Sequence, residues 1–133
     1  MLSFLLDTHI LVWWRSEPAR LSKQQAQALL ECERRRDAVA ISVITLWELA
    51  KLVERGHREI QIPLLEWLEE LESHPLVRVL PLTARIIAES AQLGEGFHKE
   101  PAGQIIVATA RCHGLRLLTA DERIRKWGKV PVV

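Results

Sequence analysis

Short apolar runs alternate with longer amphipathic stretches along this chain. The runs are Phe4-Leu5-Leu6, Ala38-Val39-Ala40-Ile41, Val77-Arg78-Val79-Leu80, Leu115-Arg116-Leu117-Leu118 and Val130 to Val133. Their length and β-branched content read as buried strands. Between them the apolar residues recur at helical spacing. A helix begins at His9 to Trp14 and ends near Glu17-Pro18. A second is capped by Ser22, with Leu21, Ala26, Leu29 and Leu30 on its apolar side, and stops in Arg34-Arg35-Arg36, where positive charge suits the helix dipole. Ser42 caps a third helix, Val43 to Arg55, which Gly56 ends. Pro63 opens a fourth with an apolar stripe through Leu64, Leu65, Trp67, Leu68 and Leu71. Thr83 caps a helix through Leu93, Gly94 to Lys99 is a loop, and Pro101 starts a helix that runs to His113 and stops at Gly114. A short helix, Glu122 to Trp127, precedes the last strand.

Strands separated by helices, with a doubled helix after the first and second, call for a parallel sheet covered on both faces. The expected fold is therefore α/β: a three-layer α/β/α arrangement with a central, mainly parallel sheet of four to five strands. No internal repeat or linker divides the chain, so residues 1–133 are expected to form one domain. At 133 residues, with 48% hydrophobic and 26% charged residues, the chain can bury a core without disulfides or structural metals. Cys32 and Cys112 lie outside any Cys-x-x-Cys pattern and read as buried thiols. With no signal-like start and no bilayer-length apolar run, the expected location is the cytoplasm, with no membrane contact. A net charge of +1 gives no bulk argument for nucleic acid.

Three acids change this picture. Asp7 directly follows the first strand, and Asp121 follows the fourth by two residues. Glu48 lies in the helix leaving the second strand. In a parallel sheet all three stand at the carboxyl edge, where ligand clefts form. The residues four away from Glu48 are Ile44 and Leu52, both apolar, so Glu48 faces a buried or cleft-side stripe. Each acid has a purely structural explanation: Asp7 and Asp121 as helix caps, Glu48 as the partner of Lys51. Taken together they point to a shared site. Crowded carboxylates are relieved by a hard divalent cation, Mg²⁺ or Mn²⁺, and a carboxylate-held metal with free water positions suits phosphodiester cleavage.

Arg123, Arg125 and Lys126, with Lys129, cluster next to Asp121 as candidates for holding an RNA backbone, or else form a solvated basic face. His98 lies just before Glu100 and is a candidate substrate contact. His9 has a weaker claim to the cleft. The five histidines show no zinc spacing, and no glycine-rich phosphate loop joins a strand to a helix. A phospho-acceptor domain would also gather acids at strand ends, but it would want a lysine at a late strand end. The fourth and fifth strands end in Leu118 and Val133. Trp13, Trp14, Trp47 and Trp67 read as core or interface residues.

At Leu5-Leu6-Asp7-Thr8-His9, Ile41 to Ala50, Leu80-Pro81-Leu82-Thr83, Ile105 to Ala110 and Leu117 to Asp121, the chain resembles a PIN domain of the VapC-type toxins of toxin–antitoxin pairs. The resemblance covers nearly the whole chain. It implies the PIN-like α/β/α fold and a metal-dependent endoribonuclease that holds Mg²⁺ or Mn²⁺ through three or four acids. It also implies an RNA substrate, a cognate antitoxin and a homodimer. Asp7, Glu48 and Asp121 match three of the four acids, and Thr8, Ser42 and Thr119 match supporting hydroxyl positions. The family pattern Asp-Pro-Ala-Asp-Arg is replaced here by Glu100-Pro101-Ala102-Gly103-Gln104, so the fourth acid is a glycine. Glu100 can substitute as a metal ligand, three acids can suffice, or the chain is a catalytically weak or inactive PIN-fold module that binds antitoxin or RNA.

Overall fold

The computed structural model describes residues 2–98 and 100–133. The last residue of the predicted 94–99 loop, Lys99, lies outside the described residues. Four strands, β1 (Phe4–Leu6), β2 (Val39–Ser42), β3 (Val77–Leu80) and β4 (Arg116–Leu118), form a parallel sheet in the order β3-β2-β1-β4. Leu5 pairs with Ala40 on one side and Leu117 on the other, and Val39 pairs with Val77. Helices α1 (Thr8–Ser16) and α2 (Lys23–Arg35) follow β1, and α3 (Val43–Glu54) and α4 (Leu64–Ser73) follow β2. A third pair, α5 (Ala84–Ser90) and α6 (Pro101–His113), follows β3, and α7 (Glu122–Trp127) follows β4.

The central strands are apolar throughout because both faces are covered. Leu5, Ala40 and Leu117 point to one side, into a core with Leu93, Phe97, Ile106, Val107 and Ile124 from the α5–α7 layer. Leu6, Val39, Ile41 and Leu118 point to the other, against Ile10, Leu11, Leu29, Leu49 and Leu71 from α1–α4. The strand order reverses direction at β1, since the chain steps from β1 to β2 to β3 and then crosses to β4. A crevice forms at such a switch point, outside the carboxyl ends of the strands. Here those ends deliver Asp7 and the Thr119–Asp121 segment side by side.

Besides one-residue shifts at β2, β4 and α3, three boundaries differ from the sequence reading for an identifiable reason. The final strand, Val130 to Val133, shrinks to one parallel bridge between Val132 and Leu117. Leu117 N–H donates to the Pro131 carbonyl and Val133 N–H to the Leu117 carbonyl, but Pro131 has no N–H to extend the ladder. The helix expected through Leu93 ends at Ser90, whose hydroxyl donates to the Ile87 carbonyl at 2.6 Å, while the next turn tightens to i−3 bonding. Pro63 takes the cap position of α4 rather than its first turn. Among the described residues no helix is long and apolar enough to cross a membrane.

One polar residue ties distant parts of the chain together. Gln25 closes a capping box with Ser22, and its amide Nε2 donates to the carbonyls of Thr119 and Val133, both at 3.0 Å. It is buried. Gln25→Leu is expected to destabilise the fold by about 1–3 kcal/mol, since it leaves buried acceptors unpaired. Chemical denaturation checks this, and an unchanged midpoint would show the Thr119 carbonyl to be satisfied otherwise.

Candidate active site

Asp7 ends β1 and caps α1. Its Oδ1 accepts from the Thr8 N–H at 2.8 Å, and its Oδ2 accepts from the Thr119 hydroxyl at 2.7 Å. Thr119 Oγ1 in turn accepts from the Asp121 N–H at 3.0 Å, so one buried hydroxyl positions both acids. Asp121 caps α7 through the Arg123 N–H, at 2.9 Å. The capping roles and the place at the carboxyl edge therefore coexist. Glu48 does not pair with Lys51, which binds Glu54 at 2.8 Å. Glu48 turns inward instead, where Oε1 accepts from the Thr8 hydroxyl at 2.5 Å, and Thr8 also meets the buried Thr45 at 3.3 Å.

These acids line one open cleft of about 420 Å³, shared with His9, Trp13, Arg20, His98, Glu100, Gly103 and Arg123. Burial pushes the Asp7 carboxyl above its ordinary range, and the Asp121 charge adds to this, while bonds from Thr119 and Thr8 hold it back. Burial also raises Glu48, helped by the charges of Asp7 and Glu100. Burial alone would raise Asp121 as well, but the hydrogen bonds and charge of Arg123 outweigh it and hold that carboxyl low. The Arg123 guanidinium grips Asp121 through Nε at 3.1 Å and Nη2 at 2.9 Å, and reaches Glu100 at 3.4 Å.

Several expected roles move. The Thr8 hydroxyl supports Glu48, and only its backbone N–H reaches Asp7. Ser42 is fully buried, caps α3 through the Ile44 N–H at 3.1 Å, and does not line the cleft. Of the basic cluster only Arg123 lines it, and Arg125 pairs with Glu122 at 3.7 Å. Lys126 lies in the last turn of α7 and is not among the lining residues. Glu100 caps α6 without a side-chain bond to its backbone. Arg20, stacked over Trp13 at 4.8 Å, is a cleft cation that sequence spacing gave no reason to single out. The same holds for Thr45, a buried hydroxyl in an apolar helix.

The donor chemistry fits a hard divalent cation, because Asp7 and Glu48 are raised by burial and by neighbouring carboxylates, Asp121 for the first and Asp7 and Glu100 for the second, a repulsion that a cation would relieve. Both nitrogens of His98 are buried without a hydrogen-bond partner among the described residues, a second unmet demand at the same cleft. In these rotamers, however, no three Asp, Glu, His or Cys side chains among the described residues are grouped to grip one ion. Thr8 holds Glu48 and the Arg123 fork holds Asp121, so closure on a metal requires Arg123, an exposed side chain, to swing away. Thr119→Val, which removes the hydroxyl orienting Asp7, is expected to weaken divalent-cation affinity about 10–100-fold, as loss of an orienting partner typically does. Calorimetric titration with Mn²⁺ checks this, and unchanged affinity would mean that Asp7 needs no support.

The PIN domain model matches residues 4–130. The chain is 39% identical over 125 residues to Ribonuclease VapC22 of Mycobacterium tuberculosis (strain ATCC 25618 / H37Rv), covering 94% of this chain and 92% of that protein. Among solved structures, it matches a toxin–antitoxin complex from Klebsiella pneumoniae at 26% identity and TM-score 0.64, over 98% of this chain and 96% of that one. FitAcB from Neisseria gonorrhoeae matches at 27% identity and TM-score 0.61, over 97% and 95%. VapBC2 from Rickettsia felis, bound to a DNA fragment from its promoter, shares the fold at TM-score 0.71 and 17% identity, over 100% and 98%.

Proposed function

The chain belongs to the PIN domain family, and on that footing we propose that it is the ribonuclease toxin of a toxin–antitoxin pair, cutting RNA phosphodiesters at the cleft between β1 and β4. The observation that carries this reading is the convergence of Asp7, Glu48 and Asp121 on the lining of one cleft, from three separate elements.

Asp7, Asp121 and Glu48 would hold the metal through carboxylate oxygens, with Glu100 a substitute only where it leaves Arg123. When bound, Mg²⁺ or Mn²⁺ supplies charge for a phosphate oxygen and a water of lowered pKa. Thr119 fixes the rotamer of Asp7 and the backbone of Asp121, and Thr8 fixes Glu48. Arg123, released from Asp121, places a guanidinium where an RNA phosphate can take both of its donors. Arg20 adds a second cation to the lining, and Trp13 offers a face for a base. Arg125 and Lys126 lie outside the cleft and would touch only the flanking backbone of a longer RNA. An RNA substrate places the working protein in the cytoplasm, and residues 1–133 act as one domain.

The expected partners are a cognate antitoxin and a second copy of the chain. Trp47 and Leu65, 52% and 68% exposed, are large apolar side chains of the kind that protein partners cover. The non-cutting alternative keeps one observation in its favour, the absence of a side chain at Gly103. End-labelled structured RNA incubated with the purified chain tests the reading. Cleavage is expected in Mg²⁺ or Mn²⁺ and is expected to vanish in EDTA. Undiminished cleavage in EDTA would sink the metal site, and intact RNA in Mn²⁺ would favour the non-cutting module.

A further inference from the structure

Gly103 sits in the first turn of α6, where a glycine weakens a helix relative to alanine. Its place is not open. A Cβ there would stand 2.7 Å from Cε1 of His98 and 3.4 Å from its Nε2. The imidazole fills the space that a side chain at 103 would enter, so the missing side chain and the histidine form one packing unit.

Three neighbours define the place of this residue. Phe97 stacks on it at 4.4 Å with an interplanar angle of 26°. Gln104 anchors its backbone, donating from Nε2 to the His98 carbonyl at 3.2 Å. Nε2 faces Asp121, standing 3.5 Å from Oδ2. Only 11% of the side chain is exposed, yet neither ring nitrogen has a hydrogen-bond partner among the described residues. A histidine that served packing alone would normally satisfy at least one buried nitrogen. One immobilised against an aromatic, with Nε2 turned toward a carboxylate cleft, is prepared for something that enters the cleft.

We propose that His98 is a nitrogen ligand of the cation at this site, acting through Nε2 in the position for which residue 103 offers no side chain. The proposal rests on the metal-site reading given above. Glu100 is the poorer substitute, since it is exposed and committed to Arg123. The donor set becomes three carboxylates and one imidazole. Imidazole nitrogen suits later first-row metals, whereas carboxylate and water suit Mg²⁺ and Mn²⁺, so the site is expected to favour Co²⁺ over Mg²⁺.

Pulsed paramagnetic resonance on Mn²⁺ added to the intact chain tests this without any measure of activity. Wild type is expected to show the ¹⁴N coupling of a directly bound imidazole. His98→Leu, which keeps volume against Phe97 and Gly103, is expected to lose that coupling. It is also expected to weaken Mn²⁺ binding by at least the roughly tenfold that losing an orienting partner costs, and to weaken Co²⁺ more than Mg²⁺. Coupling that persists in His98→Leu would come from His9 and overturns the proposal. If Mn²⁺ binds, Asp7→Asn abolishes binding, and wild type shows no ¹⁴N coupling, the metal site stands and the His98 ligand falls. If Mn²⁺ does not bind, or binds equally to Asp7→Asn, the metal site itself falls and takes the ligand with it.

Discussion

Asp7→Asn is expected to lower RNA cleavage by roughly 10²–10³-fold, the equivalent of several kcal/mol of lost transition-state stabilisation. In a chelator it is expected to leave the fold as stable as wild type or more so. The two effects have one origin. Asp7 is held in a desolvated position at the switch point of the sheet, and burial raises its pKa above the reference value of 3.8. Between the unfolded and folded values the native state retains a proton that the unfolded chain has released. Stability therefore falls as pH rises through that window, and the penalty persists in full above it. Asparagine never titrates and still caps α1, because Asn is as good a cap as Asp. The melting-temperature gap between variant and wild type, measured in EDTA, is expected to widen from acid to neutral pH. Saturating Mn²⁺ is expected to reverse it, since a ligand at 100 times its Kd stabilises the state it binds by about 2.7 kcal/mol. A variant that cuts like wild type would remove Asp7 from the site. A variant that melts several degrees lower in EDTA would show that the Thr119 bond outweighs the burial.

The feature that makes Asp7 costly is also what made it legible. Phe4-Leu5-Leu6 is apolar without alternation because both faces of β1 are covered, and such a run ending in an acid has few readings. Glu48 was legible for a similar reason: Ile44 and Leu52 mark its helical face, and the structure gives it Thr8 rather than the nearby Lys51. Caps written into local sequence, at Ser22, Ser42, Thr83 and Asp121, all form. What stayed hidden depends on contacts between segments with no shared period. Gln25 reaches Thr119 across 94 residues. Arg123 folds back onto Asp121 and Glu100 and so becomes a gate on the acids. From sequence, the same arginine was only one member of a basic cluster. Gly103 misled in the opposite direction, because a missing side chain reads as an empty place until the neighbour that fills it is known.

Gly103→Asp, the substitution that rebuilds the family's fourth acid, is accordingly expected to fail on its own. Its Cβ meets a ring stacked on Phe97, on a backbone held by Gln104, so His98 must be expelled or the first turn of α6 must shift. Overpacking of this kind costs about 1–3 kcal/mol. The new carboxylate would also stand by the edge of His98 that faces Asp121, where like charges repel. His98→Ala alone is expected to cut poorly, having neither imidazole nor acid. The double variant, His98→Ala with Gly103→Asp, opens the space and supplies an oxygen ligand, so it is expected to recover most of the stability and the cleavage that either single change loses. Neighbours that share a contact couple by about 0.5–3 kcal/mol, and a denaturation cycle over the four proteins reads that coupling directly. Additive effects across the cycle would mean that the imidazole moves aside freely. If Gly103→Asp alone raised cleavage tenfold at unchanged stability, the wild-type site would be a remnant awaiting its lost acid. Restoration by the pair, and only by the pair, marks histidine and glycine as a joint substitution: the glycine is there to admit the ring, and the ring occupies the place of the carboxylate.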